Sequence, residues 1–441
     1  MKRTSGAALL GLLLTLSSSA RAEYPAELDK GLKIELGDPN RYLRIMTWEQ
    51  IWMRYAELNP GSVVRGETRT DGLDMGVRSA RLLLQGQLTK DLTFIFHAGV
   101  NSQSSEGGGF GLGTDGKKPQ LFIHEAAGDY KLFGEYFAIG GGLHYWNGVS
   151  RMANTSTFSY LTLDAPMYNW ATLEKTDQLG RMLGVYAKGH VGDLEYRVAV
   201  DRPFQTEGTP VGKKADFYSR NDTWAVAGYF KYDIFDRESN NLPYYAGTYL
   251  GKKRVWNFGA GFYYHPDSMA YFDPGRKLND TLLVSADTFA DIPLGKGSAF
   301  SLYANVEYMN LGPNYTRNIG IMNPSLGVSK TGHHALNGAG VAVPTIGTGM
   351  TYYGQVGYLL PDVLGRAGQL QPYASVRLSS FDAYDAPVIV PTAGVNWLIA
   401  GQHAKVTLDY RSRPVFDTQP TGKPVEKDRK SEVTVQIQFM Y

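Results

Sequence analysis

Residues Ser431–Tyr441 read SEVTVQIQFMY, and the fold turns on how that stretch is understood. Val433, Val435, Ile437, Phe439 and Tyr441 are apolar, while Thr434, Gln436, Gln438 and Met440 stand between them. Period two is the pattern of a strand with one greasy face and one wetter face. A soluble sheet hides the greasy face inside. A membrane barrel turns it outward, and its last strand must also join its first, because lipid offers backbone groups no partner. The aromatic end of the stretch, Phe439 and Tyr441, suits the interfacial edge of such a closing strand.

Working outward, sixteen segments of similar character precede or include this one. They are 42–57, 75–88, 92–102, 120–131, 134–146, 180–190, 194–203, 222–235, 254–265, 280–291, 298–310, 348–360, 370–381, 387–399, 404–412 and 431–441. Turns as short as TKD, KLFG, VGD, PLGKG and AGQHA follow even-numbered segments. The stretches 103–119, 147–179, 204–221, 266–279, 311–347 and 413–430 follow odd ones and read as long loops. Sorting by parity is the signature of an outer-membrane barrel, with tight turns on one rim and extended loops on the other. Two connections blur it: 236–253 is long for a turn, and the one after the thirteenth segment is short for a loop. A soluble sandwich has no reason to sort its loops, and no blade-length repeat suggests a propeller. The expected fold is therefore all-β: a transmembrane antiparallel barrel of about sixteen strands.

The start of the chain agrees. MKRTSGAALLGLLLTLSSSARAEY carries Lys2 and Arg3, an apolar run from Ala7 to Leu16, and Ala20-Arg21-Ala22. This is the pattern of a secretory signal peptide over 1–22, leaving a barrel domain over 23–441. No other stretch holds 18 apolar residues in a row, so no membrane helix is expected. Cysteine is absent, which excludes thiolate metal sites and thiol chemistry. The chain holds 29 Tyr, 19 Phe, 7 Trp and 51 Gly at a net charge of +2, a balance that argues against a nucleic-acid partner.

If lipid takes the apolar positions, the lumen takes their neighbours. Alternation places Arg44, Arg54, Arg81, Lys188, Arg197, Lys231, Arg377, Lys405 and Arg411 inward. Glu125, Asp129, Glu195, Asp201, Asp287, Glu307 and Asp409 share that side, as do Tyr303, Asn305 and Tyr373. His97, His144 and His190 join them as polar lumenal positions. In the first strand Glu49 falls on the opposite face, against lipid, a partner subunit, or a bulge that shifts the register.

The third long loop, 147–179, packs Phe158, Tyr160, Leu161, Leu163, Met167, Tyr168 and Trp170 into a short span. So much apolar surface calls for burial, and the lumen is the space at hand. Residues 157–170, TFSYLTLDAPMYNW, and 180–204, GRMLGVYAKGHVGDLEYRVAVDRPF, resemble the phosphate-selective porin O and P family. TWEQIWMRY (47–55), VRSARLLLQGQL (77–88) and VAVPTIGTGMTYYGQ (341–355) are similar to it as well, so the likeness spans nearly the whole chain after residue 22. The resemblance implies a homotrimeric porin in the outer membrane of a Gram-negative bacterium, needing no cofactor, with the third loop inside. It further implies a water-filled channel for small hydrophilic solutes, leaning towards anions such as phosphate. The residues expected to line the pore are Arg44, Arg54, Arg81, Arg151, Lys188, Arg197, Lys231, Tyr303, Glu307 and Arg377. The loop itself offers only Arg151 and Lys175, opposed by Asp164, Glu174 and Asp177, where the family's specificity rests on clustered basic residues.

Other readings are poorer. Gly111 and Gly116-Lys117 have the spacing of a phosphate-cradling loop, but Lys118 replaces its Ser or Thr and no helix follows. His333-His334 lacks a neighbouring carboxylate and reads as a surface pair, so no metal is expected. A general non-selective porin, an adhesin or structural barrel, and an outer-membrane hydrolase remain as alternatives. The hydrolase would need a Ser-His pair on one outer rim that the sequence does not offer.

Overall fold

The computed structural model describes residues 31–38, 40–106, 121–145, 148–204, 207–218, 222–325, 327–418 and 423–441. The expected signal segment 1–22 and the glycine-rich stretch 111–118 lie outside them. Sixteen strands of one antiparallel sheet make up the barrel. They are β1 (Arg41–Glu57), β2 (Asp71–Gln87), β3 (Leu92–Ser104), β4 (Phe122–Phe133), β5 (Phe137–His144), β6 (Met182–Val191), β7 (Leu194–Arg202) and β8 (Ala225–Asp233). There follow β9 (Val255–Phe272), β10 (Arg276–Gly295), β11 (Ser298–Asn310), β12 (Gly349–Leu359), β13 (Gln369–Phe381), β14 (Val388–Leu398), β15 (Ala404–Thr418) and β16 (Pro424–Met440).

Each strand pairs with its sequence neighbours, and β16 pairs with β1 to close the sheet. Ile437 faces Ile51 and Val433 faces Tyr55 across that seam. Inside it, Gln50 donates to Gln438 Oε1 at 2.9 Å and the Trp52 indole to Gln436 Oε1 at 2.7 Å. Where β16 ends, Thr47 and Tyr441 exchange two backbone hydrogen bonds of 2.8 Å. A short strand, Leu32–Asp38, pairs with β1 beyond that point and carries the ladder past the barrel rim.

The sheet is inside out by soluble standards. Gln436 and Gln438 are buried while Ile437 and Phe439 are exposed. Exposed aromatics gather at two heights. Tyr55, Tyr264, Tyr308, Tyr352 and Tyr410 lie towards the loop rim; Tyr232, Trp256, Phe300, Tyr358 and Trp397 lie towards the turn rim. Eight residues separate Phe300 from Tyr308, roughly 27 Å along the strand and about 20 Å of height after the usual tilt. That is the scale of a membrane barrel's apolar band with its aromatic girdles.

Two expectations change. Much of 266–279 and the described parts of 413–430, read as loops, are strand: β9 and β10 continue to a turn at 273–275, and β15 runs on to Thr418 while β16 already begins at Pro424. Above the apolar band no lipid face is required, so charges such as Lys277, Arg413, Lys427 and Lys430 occupy both sides and the period-two signal fades. The bulge considered for β1 exists, but on its partner. Gln50 pairs with Ser79 and Ile51 with Val77, so the extra residue is Arg78 of β2 and Glu49 keeps its outward place.

Candidate functional site

The inside of the barrel is occupied from both rims. From the loop rim, 148–181 crosses towards strands far from its own anchors, β5 and β6. Gln438 donates to the Phe158 carbonyl at 2.9 Å, Lys405 to Tyr160 at 3.2 Å and Asn396 to Leu161 at 2.8 Å. The Trp48 indole donates to Thr157 Oγ1 at 3.2 Å, and Tyr168 donates to Asn305 at 2.7 Å. All five barrel partners point inward. Strand glycines make the approach possible: a Cβ on Gly261 would stand 2.3 Å from the Val149 carbonyl oxygen.

From the other rim comes 234–254, the connection between β8 and β9 that sequence marked only as too long for a turn. It turns inward and joins the first segment. Tyr245 N–H donates to Asn154 at 2.7 Å, and Ser156 N–H returns a bond to Tyr245 at 3.0 Å. Arg151 donates to both Glu238 oxygens, at 2.6 and 2.7 Å, and to the Ala246 carbonyl at 2.7 Å. Its guanidinium lies 3.8 Å from the Phe289 ring centroid and 4.8 Å from that of Tyr245. Burial alone would raise the Glu238 carboxyl, yet Arg151 and Lys231 overcome this and hold it well below the usual carboxylate range. In return Arg151 is held above its ordinary value despite burial.

Around this junction the expected basic residues are matched by acids. Lys231 lies 3.1 Å from Glu195, 2.8 Å from Asp233 and 3.0 Å from Glu238. Arg197 bonds Glu195 at 2.7 Å and the Pro243 carbonyl at 2.8 Å. Lys188 pairs with Asp129 at 2.8 Å and reaches the Asn240 carbonyl at 3.0 Å. Tyr303 donates to Asp287, and Glu307 is fully buried within electrostatic reach of Tyr168. Arg151, Lys188, Arg197, Lys231, Tyr303 and Glu307 are thus packed against the two inserted segments.

Among the described residues, two cavities lie beside the inserted loop. One, about 90 Å³, is lined by Arg54, Arg377 and Arg411 against Asp164, Asp409 and Glu432. Arg377 donates to the Thr345 and Pro344 carbonyls at 3.0 and 2.8 Å, and Arg54 to Ile321 at 2.9 Å. The other, about 120 Å³, is lined by Arg78, Arg81, Arg181 and Arg317 with Trp48, Tyr145 and Trp170. Of the expected residues, Arg54 and Arg377 meet at the first cavity and Arg81 reaches the second. Arg44 is inward and buried near Tyr42, at neither.

Sequence reasoning missed Arg78, Arg181, Arg317 and the whole of 234–254. Arg78 sits in the bulge, where alternation fails. Arg181 and Arg317 belong to connections. The signal for 234–254 was present: Leu242, Tyr244, Tyr245, Tyr249 and Leu250 crowd it with apolar surface as the third loop is crowded.

No protein-family model and no curated protein sequence matches the chain. Solved structures do. OmpF of Salmonella typhi, in complex with daunomycin, has a TM-score of 0.51 at 12% identity, covering 93% of this chain and 100% of that one. The likeness is one of fold. OprB of Pseudomonas putida in its high-pH structure (0.48, 10%, 90% and 94%) and the outer membrane channel DcaP of Acinetobacter baumannii (0.47, 12%, 93% and 99%) are more distant in shape. His333, one half of the surface pair, lies 2.7 Å from Asp417 on the loop rim, exposed.

Proposed function

We propose that this chain is a porin of a Gram-negative outer membrane, giving small hydrophilic solutes a water-filled path and favouring anions. The observation that carries the reading is the closed sixteen-stranded sheet with apolar residues outside and ionisable residues inside. A barrel of that strand number has room for an aqueous lumen, and polar lining of this density suits water rather than a dry core. The inserted 148–181 then sets the width. Charge preference comes from guanidinium groups beside the remaining space, the second cavity having no carboxylate among its lining residues. The resemblance to phosphate-selective porins makes phosphate or another oxyanion the natural first solute to try.

A homotrimer fits one further detail. Glu49 stands on the outer face of β1 between Phe439 and Ala80. A carboxylate is costly against lipid, and a subunit contact at that face would relieve it. The function is tested by swelling of liposomes that carry the refolded protein. Phosphate and acetate salts should enter faster than neutral sugars of similar size; equal rates would leave a general porin, and no swelling would remove the channel reading.

A further inference from the structure

The two cavities beside the inserted loop differ in charge and in wall. The first balances three arginines with three carboxylates. In the second, four arginines converge: Arg78 from β2's bulge, Arg81 from β2, Arg181 at the end of the inserted loop, and Arg317 from the connection between β11 and β12. Two carboxylates lie close behind. Asp164 takes Arg78 in paired bonds of 2.9 and 3.0 Å. Glu125 is shared by His97 at 2.9 Å, the Tyr244 hydroxyl and, at 3.7 Å, Arg181. Glu174 and Asp177 lie within electrostatic reach of Arg317, but none of these carboxylates lines the cavity, whose wall carries the four guanidinium groups. Arg81 donates to Asn101 at 2.5 Å, but its Nε has no hydrogen-bond partner among the described residues, and neither has Arg317 Nη1. Buried guanidinium N–H groups left unpaired are a cost that a bound anion removes.

The remaining wall is not suited to a small hydrated ion. Trp48 and Trp170 spend their indole N–H groups on Thr157 and Ala153, leaving ring surface for the cavity. Tyr145 carries the Arg181 guanidinium 4.0 Å from its ring centroid, and Leu173 and Leu179 add aliphatic surface. At about 120 Å³ the cavity approaches the size of an engineered cavity of roughly 150 Å³ that holds benzene.

We infer that the cavity bounded by Arg81, Arg317, Trp48 and Trp170 is a binding site for organic monoanions with a compact flat body, a single ring bearing a carboxylate. The carboxylate takes the open N–H groups of Arg81 and Arg317, and the ring lies on the indole and aliphatic wall. Inorganic phosphate satisfies only the first half and forfeits hydration against the second. This rests on the channel reading for its physiological meaning, since the ligand then binds in transit.

The test pairs two readouts on the full refolded protein. Quenching of tryptophan fluorescence reports occupancy near Trp48 and Trp170 whether or not the barrel conducts; interruption of single-channel current reports occupancy of the path. Benzoate is titrated against acetate, benzyl alcohol and inorganic phosphate. Benzoate is expected to quench and to interrupt current at a concentration at least tenfold below any of the other three. Arg317→Gln, on a connection where it does not touch barrel closure, should raise that concentration about tenfold, and Arg81→Gln should do the same if it folds. Equal potency of phosphate and benzoate, or of benzyl alcohol and benzoate, overturns the site. Selective quenching by benzoate in a barrel that passes no current keeps the site and removes the channel.

Discussion

Arg151 and Glu238 meet inside the barrel through two hydrogen bonds of 2.6 and 2.7 Å, although their segments enter from opposite rims. Arg151 comes with the loop between β5 and β6, Glu238 with the connection between β8 and β9. The pair fastens two inserted segments to each other and, through Lys231, to the wall. Breaking a buried pair by removing one partner costs about 3–5 kcal/mol, so this contact is a large share of what holds the two segments together.

Glu238→Gln should therefore loosen the junction. The barrel still folds, because its ladder hydrogen bonds are untouched, and mean conductance and current noise both rise. Unchanged current in planar bilayers would mean that the path avoids this junction.

Acid should mimic that substitution, and only strong acid. Glu238 is depressed in the folded protein, so its contribution is complete above the ordinary carboxylate value near 4.5 and is lost as pH falls through the lowered one. Its hydrogen-bond partners Arg151, Lys231, Tyr249 and Asn257 keep their protons throughout. The difference in conductance between the protein and Glu238→Gln should be constant from pH 8 to 5 and close well below 4.5.

Gly261→Ala tests how closely 148–181 is seated. The added methyl would lie 2.3 Å from the Val149 carbonyl oxygen, a backbone atom that cannot rotate away. Overpacking of this kind costs about 1–3 kcal/mol, and lifting the loop is the cheapest relief. Arg151, fully buried in the native protein, should become a trypsin site in the variant.

Charge reversals should separate path from scaffold. Arg377→Glu faces a cavity and should move the reversal potential towards cations, with a smaller loss of refolding yield from its two bonds to the Thr345 and Pro344 carbonyls. Arg197→Glu would face Glu195 and abandon Pro243, so it should damage the junction and the yield first. Similar selectivity shifts from both would contradict the division drawn between cavity and junction.

The strands were legible because lipid enforces period two: the sixteen observed strands each overlap an expected one, and Arg377, Tyr303 and Lys231 point inward as alternation requires. Where lipid stops, the code stops too, which is why β9, β10, β15 and β16 run further than their sequence suggested. The site was harder. Alternation gives the direction of Arg197 or Lys188 but not what packs over it, and both lie under 234–254. Arg78 is hidden by a bulge, and Arg317 reaches its cavity only because the 38-residue connection 311–348 folds over the loop rim. Contacts between connections leave no period to read.

The most direct measurement is single-channel recording of the refolded protein under a KCl gradient, followed by addition of phosphate. A steady current with its reversal potential on the anion side is the result predicted by an anion-favouring porin, and reduction of that current by phosphate would add the oxyanion preference. A correctly folded barrel that carries no current would contradict the account at its centre.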